Sequence, residues 1–543
     1  MPTPQFWPAP LLFAVFGALL VAVALAAWRL WNAGLVDAVR NTSALVCLVL
    51  AGGAIGGICW TWQLPAYCQS GNGQLVEEGG ECVGISDGSY TFIDELAPVS
   101  ARIEELNDRV EQGDRPYATI ALMIPMTPAK DDRAGRAQLL REVQGAYLAQ
   151  YRANEVDKED VPVRLVLANP GRGLDHGRQV ADWLAEKAAS PQDRLRVVFG
   201  FNLSKTQTAD TISRLTKDMG IPVVGGPITA TDLANNGNGR YPGLAKIVPS
   251  NRDQAYALHH HLREDESRTF LIEDVSDSDL YARSLREAFT EVTRGAASGP
   301  ERYNADKVTK SDFKLMVNNI CDSEARTVYF AGRPDAMAQL VNALGARGCR
   351  DRHLRLVTVS GASTIALDPD LDWGALTRGK GLTVEYATIT HPDAWSSSRT
   401  PAPPATGGSP EYLATLTGLL ADDSAHRPGD IGPTDLSDGR TITMYDSALT
   451  AITGIVNRVR EKGHVPELAD IAEAWNRLHG VNRVPGASGW ICLDGNGTPY
   501  DKAVAIVRLV AGGNGARGHL AFQGVAWPTG APLTEKRCLD TKG

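Results

Sequence analysis

Two kinds of segment, which differ in their pattern of apolar and polar residues, alternate along most of this chain. Short apolar runs such as Ala118–Ile124 and Leu195–Phe199 are typical of strands that are buried on both faces of a sheet. Longer segments such as Ala134–Tyr151 carry apolar residues three and four positions apart, which predicts amphipathic helices. Because the two kinds of segment follow each other in turn, the pattern predicts an α/β fold with parallel sheets. A chain of 543 residues is too long for one core, so we expect two or more domains.

The N-terminal part, residues 1–65, has a different pattern. Leu11–Trp28 and Ser43–Trp62 are apolar runs close to the ~20 residues that cross a bilayer as a helix. We predict a transmembrane hairpin with helices at about 11–28 and 43–62; a signal-anchor followed by a re-entrant segment is the alternative. Arg29 and Arg40 lie between the runs and favour a cytoplasmic connection. The membrane is therefore a predicted partner, and the large C-terminal part is predicted to be extracytoplasmic and tethered to the cell membrane.

Charge and cysteine spacing narrow the possibilities further. The net charge is −9, which gives no sign of nucleic-acid binding.

Six cysteines follow the apolar runs, and an even number in a segment predicted to lie outside the cytoplasm indicates disulfide bonds. Zinc is the alternative, although no C-x-x-C pair or nearby histidine supports it. Six cysteines allow about 15 connectivities, and the preferred pairing of near neighbours is Cys68–Cys82, Cys321–Cys349 and Cys492–Cys538.

The stretch Arg194–Leu233 contains the first candidate binding residues. It holds two predicted strands, each followed by a loop of small and hydroxyl-bearing residues. The first loop has Ser204 and Thr206, and the second has Thr229. Such loops at the carboxyl ends of parallel strands offer N–H groups, hydroxyls and a favourable helix dipole to an anion such as a carboxylate. The stretch therefore predicts one half of a ligand cleft.

The same stretch resembles the type I periplasmic solute-binding proteins, the group that includes the branched-chain amino-acid-binding proteins and receptor ectodomains. The resemblance continues in unbroken order over roughly residues 117–511. The motifs that carry it include Gly200, Ser204, Gly220–Val224, Ile228–Leu233, Tyr241–Leu258 and Met444–Ile452.

The resemblance implies a fold of two α/β lobes, each with a parallel sheet, and three crossovers of the chain near residues 250, 386 and 486. The implied division is 66–115 for a juxtamembrane collar, 116–249 plus 386–485 for lobe one, 250–385 plus 486–525 for lobe two and 526–543 for a tail.

The family also implies a set of ligand-binding residues. Ser204 and Thr206 would face a ligand carboxylate, and Thr229, with the backbone near Ile228, would face the ammonium or carboxylate. In lobe two the corresponding positions are an enclosing aromatic and two further loops, namely Tyr281, Gly332 and Gly361. The alternative for each hydroxyl is that it caps its own helix.

The chain departs from the family in a way that leaves the ligand open. No acidic residue lies near Gly361, where the family's amino-acid binders pair a carboxylate with the ligand ammonium. Asp277 or Asp279 would have to take over that role. Binding of an α-amino acid is therefore a hypothesis, and neither a cofactor nor a metal is implied. The spacing of Asp368, Asp370 and Asp372 resembles a calcium loop, but no glutamate closes it.

These observations lead to three hypotheses about function. The first is a membrane-tethered extracytoplasmic solute-binding protein that closes on a small polar ligand, an amino acid or a related molecule, and serves an ABC-type importer. The second is a ligand sensor or co-receptor that uses the same fold and acts on a signalling partner. The third, an enzyme, is not favoured, because no paired carboxylates, metal ligands or nucleophile with a base follow the predicted strands.

Overall fold

The first of two large sheets is built from the N-terminal half of the described chain. Its strands are β1 (Gln74–Glu78), β2 (Glu81–Ser86), β3 (Ala118–Met123), β4 (Val163–Asn169), β5 (Leu195–Gly200), β6 (Val223–Gly225) and β7 (Leu244–Lys246). They lie in the order β1-β2-β4-β3-β5-β6-β7. Strands β3 to β7 are parallel to one another, and β1 and β2 form an antiparallel hairpin at one edge.

The second sheet follows in sequence. Its strands are β8 (Thr269–Asp274), β9 (Glu301–Tyr303), β10 (Thr327–Ala331), β11 (Leu354–Thr358) and β12 (Leu382–Thr388) and, after a separate hairpin of β13 (Val484–Gly486) and β14 (Gly489–Ile491), β15 (Val504–Val510) and β16 (His519–Ala526). The order is β16-β15-β12-β11-β10-β8-β9. Strands β8 to β12 are parallel, and β15 and β16 are antiparallel additions at the edge.

Helices cover both faces of each sheet. They are α1 (Ala97–Gln112), α2 (Arg133–Tyr151), α3 (Gly177–Ala189), α4 (Thr206–Ser213), α5 (Asn251–Leu262), α6 (Leu280–Val292), α7 (Lys310–Asp322), α8 (Pro334–Gly345), α9 (Pro410–Leu420), α10 (Arg440–Lys462) and α11 (Leu468–Ala474). This computed structural model describes residues 68, 74–235, 239–263, 265–276, 278–294, 296, 299–421, 426–513, 516–535 and 537–540.

The apolar runs form strands because successive side chains enter different cores. In β3, Ile120 packs with α1, α2 and α10, whereas Ala121 packs with α3 and α4 on the other face. In β10, Phe330 packs with α7 and α8, whereas Tyr329 packs with α5 and α6. Both faces of each strand must therefore be apolar, which explains why these segments show no alternation of polar and apolar residues.

The chain passes between the sheets three times. It leaves the first sheet after β7, returns from β12 to α10, which packs on the first sheet, and leaves again between β14 and β15. Strand β12 ends at Thr388, and the second crossover follows that residue. We call the first sheet with its helices lobe one, and the second sheet with its helices lobe two.

The segment expected to form a collar, 66–115, contributes β1, β2 and α1 to the framework of lobe one. Asn107 of α1 binds both backbone groups of Leu165 in β4, with a distance of 2.7 Å from its Nδ2 to the carbonyl oxygen and 3.0 Å from its Oδ1 to the amide nitrogen. Helix α1 is thus joined to the sheet by hydrogen bonds as well as by apolar packing.

The predicted membrane segments, 11–28 and 43–62, lie outside the described residues. Among the residues that are described, no helix is long and apolar enough to span a bilayer. Disulfide bonds join Cys321 to Cys349 and Cys492 to Cys538. Cys68 and Cys82 are each disulfide-bonded as well, and their pairing with each other stays a prediction.

Gly145 allows α2 and α10 to approach each other closely. A Cβ at this position would lie 2.3 Å from the Thr441 carbonyl oxygen and 2.9 Å from the Tyr445 nitrogen. We expect Gly145→Ala to lower the free energy of unfolding of the full-length chain by about 1–3 kcal/mol, because one helix must move away from the other. Chemical denaturation measures this difference.

Gly418 in α9 provides the matched control, since a Cβ there meets no atom within 4 Å. Gly418→Ala is expected to be neutral or to stabilise the chain by about 0.5–1 kcal/mol through its helix propensity. Equal effects of the two substitutions would contradict this account of the helix contact.

Candidate functional site

A cavity of about 530 Å³ lies between the two lobes. Its walls come from the loops that follow the carboxyl ends of strands in both sheets. The lobe-one wall includes Ser204 after β5 and Thr229 after β6, and the lobe-two wall includes Arg333 after β10 and Gly361 after β11. In α/β sheets this is the edge at which ligands bind, because chain reversals there leave loops free to face a ligand.

Ser204 and Thr229, two of the residues predicted to bind a ligand, both line this cavity. The Ser204 hydroxyl accepts a hydrogen bond from the Ala230 N–H at 3.3 Å, which ties the two lobe-one loops together. The Thr229 carbonyl accepts from the Asn251 N–H at 2.7 Å, at the start of α5. Both loops are thereby fixed, and neither hydroxyl serves as the N-cap of a helix.

Tyr281 and Gly361 also line the cavity, but the tyrosine does not present an open aromatic face. Its hydroxyl accepts a hydrogen bond from the Gly361 N–H at 3.1 Å, and the Arg333 guanidinium lies 4.8 Å from its ring centroid. A Cβ on Gly361 would lie 2.3 Å from the Tyr281 hydroxyl, so the glycine is required here. Burial raises the pKa of Tyr281, which keeps the phenol neutral.

Three predicted residues lie elsewhere. The Ile228 side chain is fully buried in the core of lobe one. Thr206 is exposed, and its N–H and hydroxyl both face the Ser278 carbonyl of lobe two at 3.4 Å. Gly332 packs against Tyr303, whose hydroxyl would lie 1.8 Å from a Cβ on the glycine. None of the three is among the described residues that line the cavity, and their roles in binding stay predictions.

The lobes are in direct contact beside the cavity. The Tyr281 N–H at the start of α6 donates to the Ser204 carbonyl at 3.1 Å. Leu280 of α6 packs into an apolar cluster of lobe one, and Arg283 forms an ion pair with Asp232 at 2.5 Å. The N-terminal turn of α6 therefore closes one side of the cavity.

The Arg333–Asp279 pair occupies the lobe-two wall. The Arg333 Nε and Nη2 donate to the two Asp279 carboxylate oxygens at 2.7 and 2.8 Å, and Nη2 also lies 3.4 Å from the Ser204 carbonyl. Asp279 additionally caps α6 by accepting from the Ala282 N–H. Burial lowers the pKa of Arg333, but the adjacent Asp279 outweighs it and holds that pKa above its usual value. Asp279 is therefore committed to this pair, and Asp277 lies outside the described residues.

A second buried pair supports the lobe-one wall. Glu142 of α2 is fully buried and accepts from Asn202 Nδ2 at 2.6 Å, from Gln138 Nε2 at 2.9 Å and from Arg440 Nη1 at 3.3 Å. Burial raises the pKa of Glu142, and Arg440 opposes that shift. Arg440 Nε also donates to Ser363 Oγ at 3.1 Å, so its guanidinium joins the two lobes across the cavity.

Several cavity residues were not predicted from sequence, notably Arg333, Arg440, Asn202, Asp335 and Asp438. Arg333 directly follows the predicted Gly332, and Asn202 lies two residues before Ser204. Their closeness in sequence to predicted binding residues is a usable signal, because neighbouring positions of one loop can reach the same cavity. Arg440 and Asp438 lie at the end of a polar loop where the sequence pattern gave no such signal.

Five hydroxyl-bearing side chains of the cavity wall lack hydrogen-bond partners among the described residues. Each is more than nine-tenths buried, and together they come from both lobes and the second crossover: Thr229, Ser360, Thr364, Thr388 and Thr390. Buried hydroxyls normally have partners, so a set without them is typical of a binding site. No group of His, Cys, Asp and Glu arranged to hold a metal ion is found in the described part of the chain.

Comparison with solved structures gives matches to two-lobed binding proteins. An ABC transporter substrate-binding protein from Desulfitobacterium hafniense, in complex with leucine, is 16% identical with a TM-score of 0.53, covering 76% of this chain and 100% of that one. A leucine-binding protein from Thermotoga maritima is 16% identical with a TM-score of 0.53, covering 76% and 99%.

A branched-chain amino acid transporter substrate-binding protein from Streptococcus pneumoniae, in complex with isoleucine, is 14% identical with a TM-score of 0.52, covering 75% of this chain and 100% of that one. No protein-family profile matches the sequence, and comparison with curated proteins found no match. At these identities the likeness concerns the fold, and the described chain has the two-lobed fold of type I periplasmic binding proteins.

Lys246 supports the second lobe-one loop from behind. Its Nζ donates to the Ala230 carbonyl at 2.8 Å, and its side chain is 1% exposed. Burial lowers the pKa of Lys246 from 10.5 to about 8. Between about pH 8 and pH 10.5 the Lys246 side chain is protonated in the unfolded chain and neutral in the folded chain. The contribution of Lys246 to the free energy of unfolding therefore rises with pH across that range. As the pH falls through about 8, that contribution is lost.

We therefore expect the free energy of unfolding of the wild-type chain, relative to Lys246→Met, to rise by about 3 kcal/mol as the pH increases from below 8 to above 10.5. Other titrating groups are common to both proteins and cancel in the difference. Urea denaturation of both proteins at several pH values measures it. A difference that does not change with pH would show that Lys246 is not buried as described.

Proposed function

We propose that this chain is a solute-binding protein that closes its two lobes on a small polar solute, an amino acid or a related molecule. The observation that carries the proposal is the cavity between the lobes, whose walls present unpartnered hydroxyls from Thr229 in lobe one and from Ser360 and Thr364 in lobe two. A solute that satisfies hydroxyls on both walls binds the closed arrangement better than an open one. Binding then favours closure by that difference in affinity.

The fold supports a role in binding. The similar structures from Desulfitobacterium hafniense and Streptococcus pneumoniae are substrate-binding proteins in complex with leucine and isoleucine. In this chain, the arginines of the cavity are engaged by carboxylates, Arg333 by Asp279 and Arg440 by Glu142. These arginines therefore position the walls and are not free to pair with a ligand.

The proposal extends to the location and partner of the protein. The apolar runs at 11–28 and 43–62 would tether the binding domain to the cell membrane with its cavity outside the cytoplasm. A tether keeps the local concentration of a binding protein high beside an importer.

We propose an ABC-type permease as the partner. Copurification of the full-length chain with a permease after mild detergent extraction supports transport, and copurification with a signalling protein instead supports a sensor.

The binding step is tested by a thermal-shift screen of the full-length chain against amino acids, amides, peptides and sugars. A solute present at ~100 times its Kd stabilises the folded state by about 3 kcal/mol, which raises the melting temperature measurably. Thr229→Val is expected to weaken binding of the identified solute about tenfold, because one buried hydrogen bond to it is lost.

Thr417→Val is the matched control, since its hydroxyl bonds within α9 on an exposed surface and is not part of the cavity wall. It is expected to leave the Kd unchanged. The proposal is contradicted if no solute stabilises the chain, or if both valine variants bind as the wild type does.

A further inference from the structure

The charges on the cavity wall do not balance. Among the described residues, three cationic side chains reach the wall, those of Lys205, Arg333 and Arg440. Five carboxylates of the described chain reach it as well, those of Asp132, Asp279, Asp306, Asp335 and Asp438. A cavity with an excess of one sign concentrates ligands of the opposite sign, because the protein walls screen charges less than water does.

Ion pairs engage half of these charged groups, which are therefore not available to a ligand. Arg333 pairs with Asp279, Arg440 pairs with Glu142 behind the wall, and Asp438 pairs with Arg141 at 2.5 Å. The carboxylates of Asp132, Asp306 and Asp335 form no ion pair with any described residue, and Lys205 is the remaining cation of the wall. The excess of negative charge is therefore carried by groups that are available to a ligand.

Asp132 and Asp335 approach the cavity from opposite lobes. Asp132 caps α2 of lobe one through one oxygen, which accepts from the Gly135 N–H at 2.8 Å, and Asp335 lies in the first turn of α8 of lobe two. Burial raises the pKa of Asp335, and the neighbouring charges of Asp132 and Asp368 raise it further. The positive charge of Arg333 opposes that shift in pKa. Both carboxylates line the same cavity, one from each lobe, so a cation bound in that space would interact favourably with each of them.

The unpartnered hydroxyls give an independent sign of a polar ligand. Thr229, Ser360, Thr364 and Thr388 line the same cavity, each is more than nine-tenths buried, and none has a hydrogen-bond partner in the described chain. An aliphatic side chain placed there would leave these groups unsatisfied, at a cost that a polar ligand avoids. Tyr281 is the one aromatic residue among the described residues of the wall, and Arg333 covers its ring.

We infer that the ligand is a small cationic amine with further hydrogen-bonding groups, of the class of the basic amino acids, and that its amine lies between Asp132 and Asp335. This inference rests on the proposed function and narrows it. The hydroxyls of both walls bind the remaining polar groups of the ligand. Branched aliphatic amino acids are rejected, since their side chains satisfy neither the carboxylates nor the hydroxyls.

The test is isothermal titration calorimetry of the full-length chain with L-lysine, L-arginine, putrescine, L-leucine and L-glutamate. We expect lysine or arginine to bind at least tenfold more tightly than leucine and glutamate. Putrescine, which has amines but no carboxylate, reports whether the amine alone is recognised, and we expect it to bind more tightly than leucine. The affinity for the basic ligands should fall as ionic strength rises.

Two variants locate the amine. Asp132→Asn keeps a side chain that caps α2 while it removes the charge, and Asp335→Asn removes the opposing charge. Each is expected to weaken binding of the basic ligand by about tenfold, the effect of losing one close charge pair at the cavity wall. Asp108→Asn, an exposed position on α1, makes the same change in net charge and should leave the Kd unchanged.

Preferred binding of leucine or glutamate would overturn this inference and leave the proposed function standing. Binding of basic ligands that is insensitive to both Asp132→Asn and Asp335→Asn would overturn the assigned position of the amine. If neither these five compounds nor any solute of the thermal-shift screen binds, the proposed function fails and this inference fails with it.

Discussion

The bidentate pair of Arg333 and Asp279 governs the chemistry of the cavity. Arg333 holds the carboxylate that caps α6, covers the ring of Tyr281 and reaches the Ser204 carbonyl of the other lobe. Breaking such a pair by removing one partner leaves a charge without compensation in a site of low dielectric. The pair therefore fixes the first turn of α6 against lobe one and makes the Asp279 carboxylate unavailable to a ligand.

Close backbone approach makes this arrangement possible. Gly145 brings α10 onto α2, and the start of α10 supplies Arg440 to the buried Glu142. Gly361 brings its loop onto the Tyr281 hydroxyl. Packing positions the helices and loops, and this brings the charged groups close enough to pair. The hydroxyls that remain without partners then define where a solute is recognised. Recognition follows from what the folded chain leaves unsatisfied.

Much of the fold is predictable from the sequence, because strands buried on two faces and helices with one apolar face have distinct patterns. Ser204, Thr229, Tyr281 and Gly361 are brought to one cavity because loops after parallel strands meet at the same edge. Which side chains of these loops reach the cavity wall is not predictable in this way: Thr206 is exposed and lies against the Ser278 carbonyl. Neither is the partnership of Asp279 with Arg333, since residues 54 positions apart in the chain are joined only by the fold.

Hydrogen exchange of the full-length chain, measured by mass spectrometry with and without pooled amino acids, amines, amides and sugars, tests the central claim most directly. If the two lobes close on a solute, the loops around Ser204 and Thr229 in lobe one and around Gly361 in lobe two become protected together in the presence of one pool. Protection of one lobe alone, or of neither lobe with any pool, would contradict a binding site shared between the lobes.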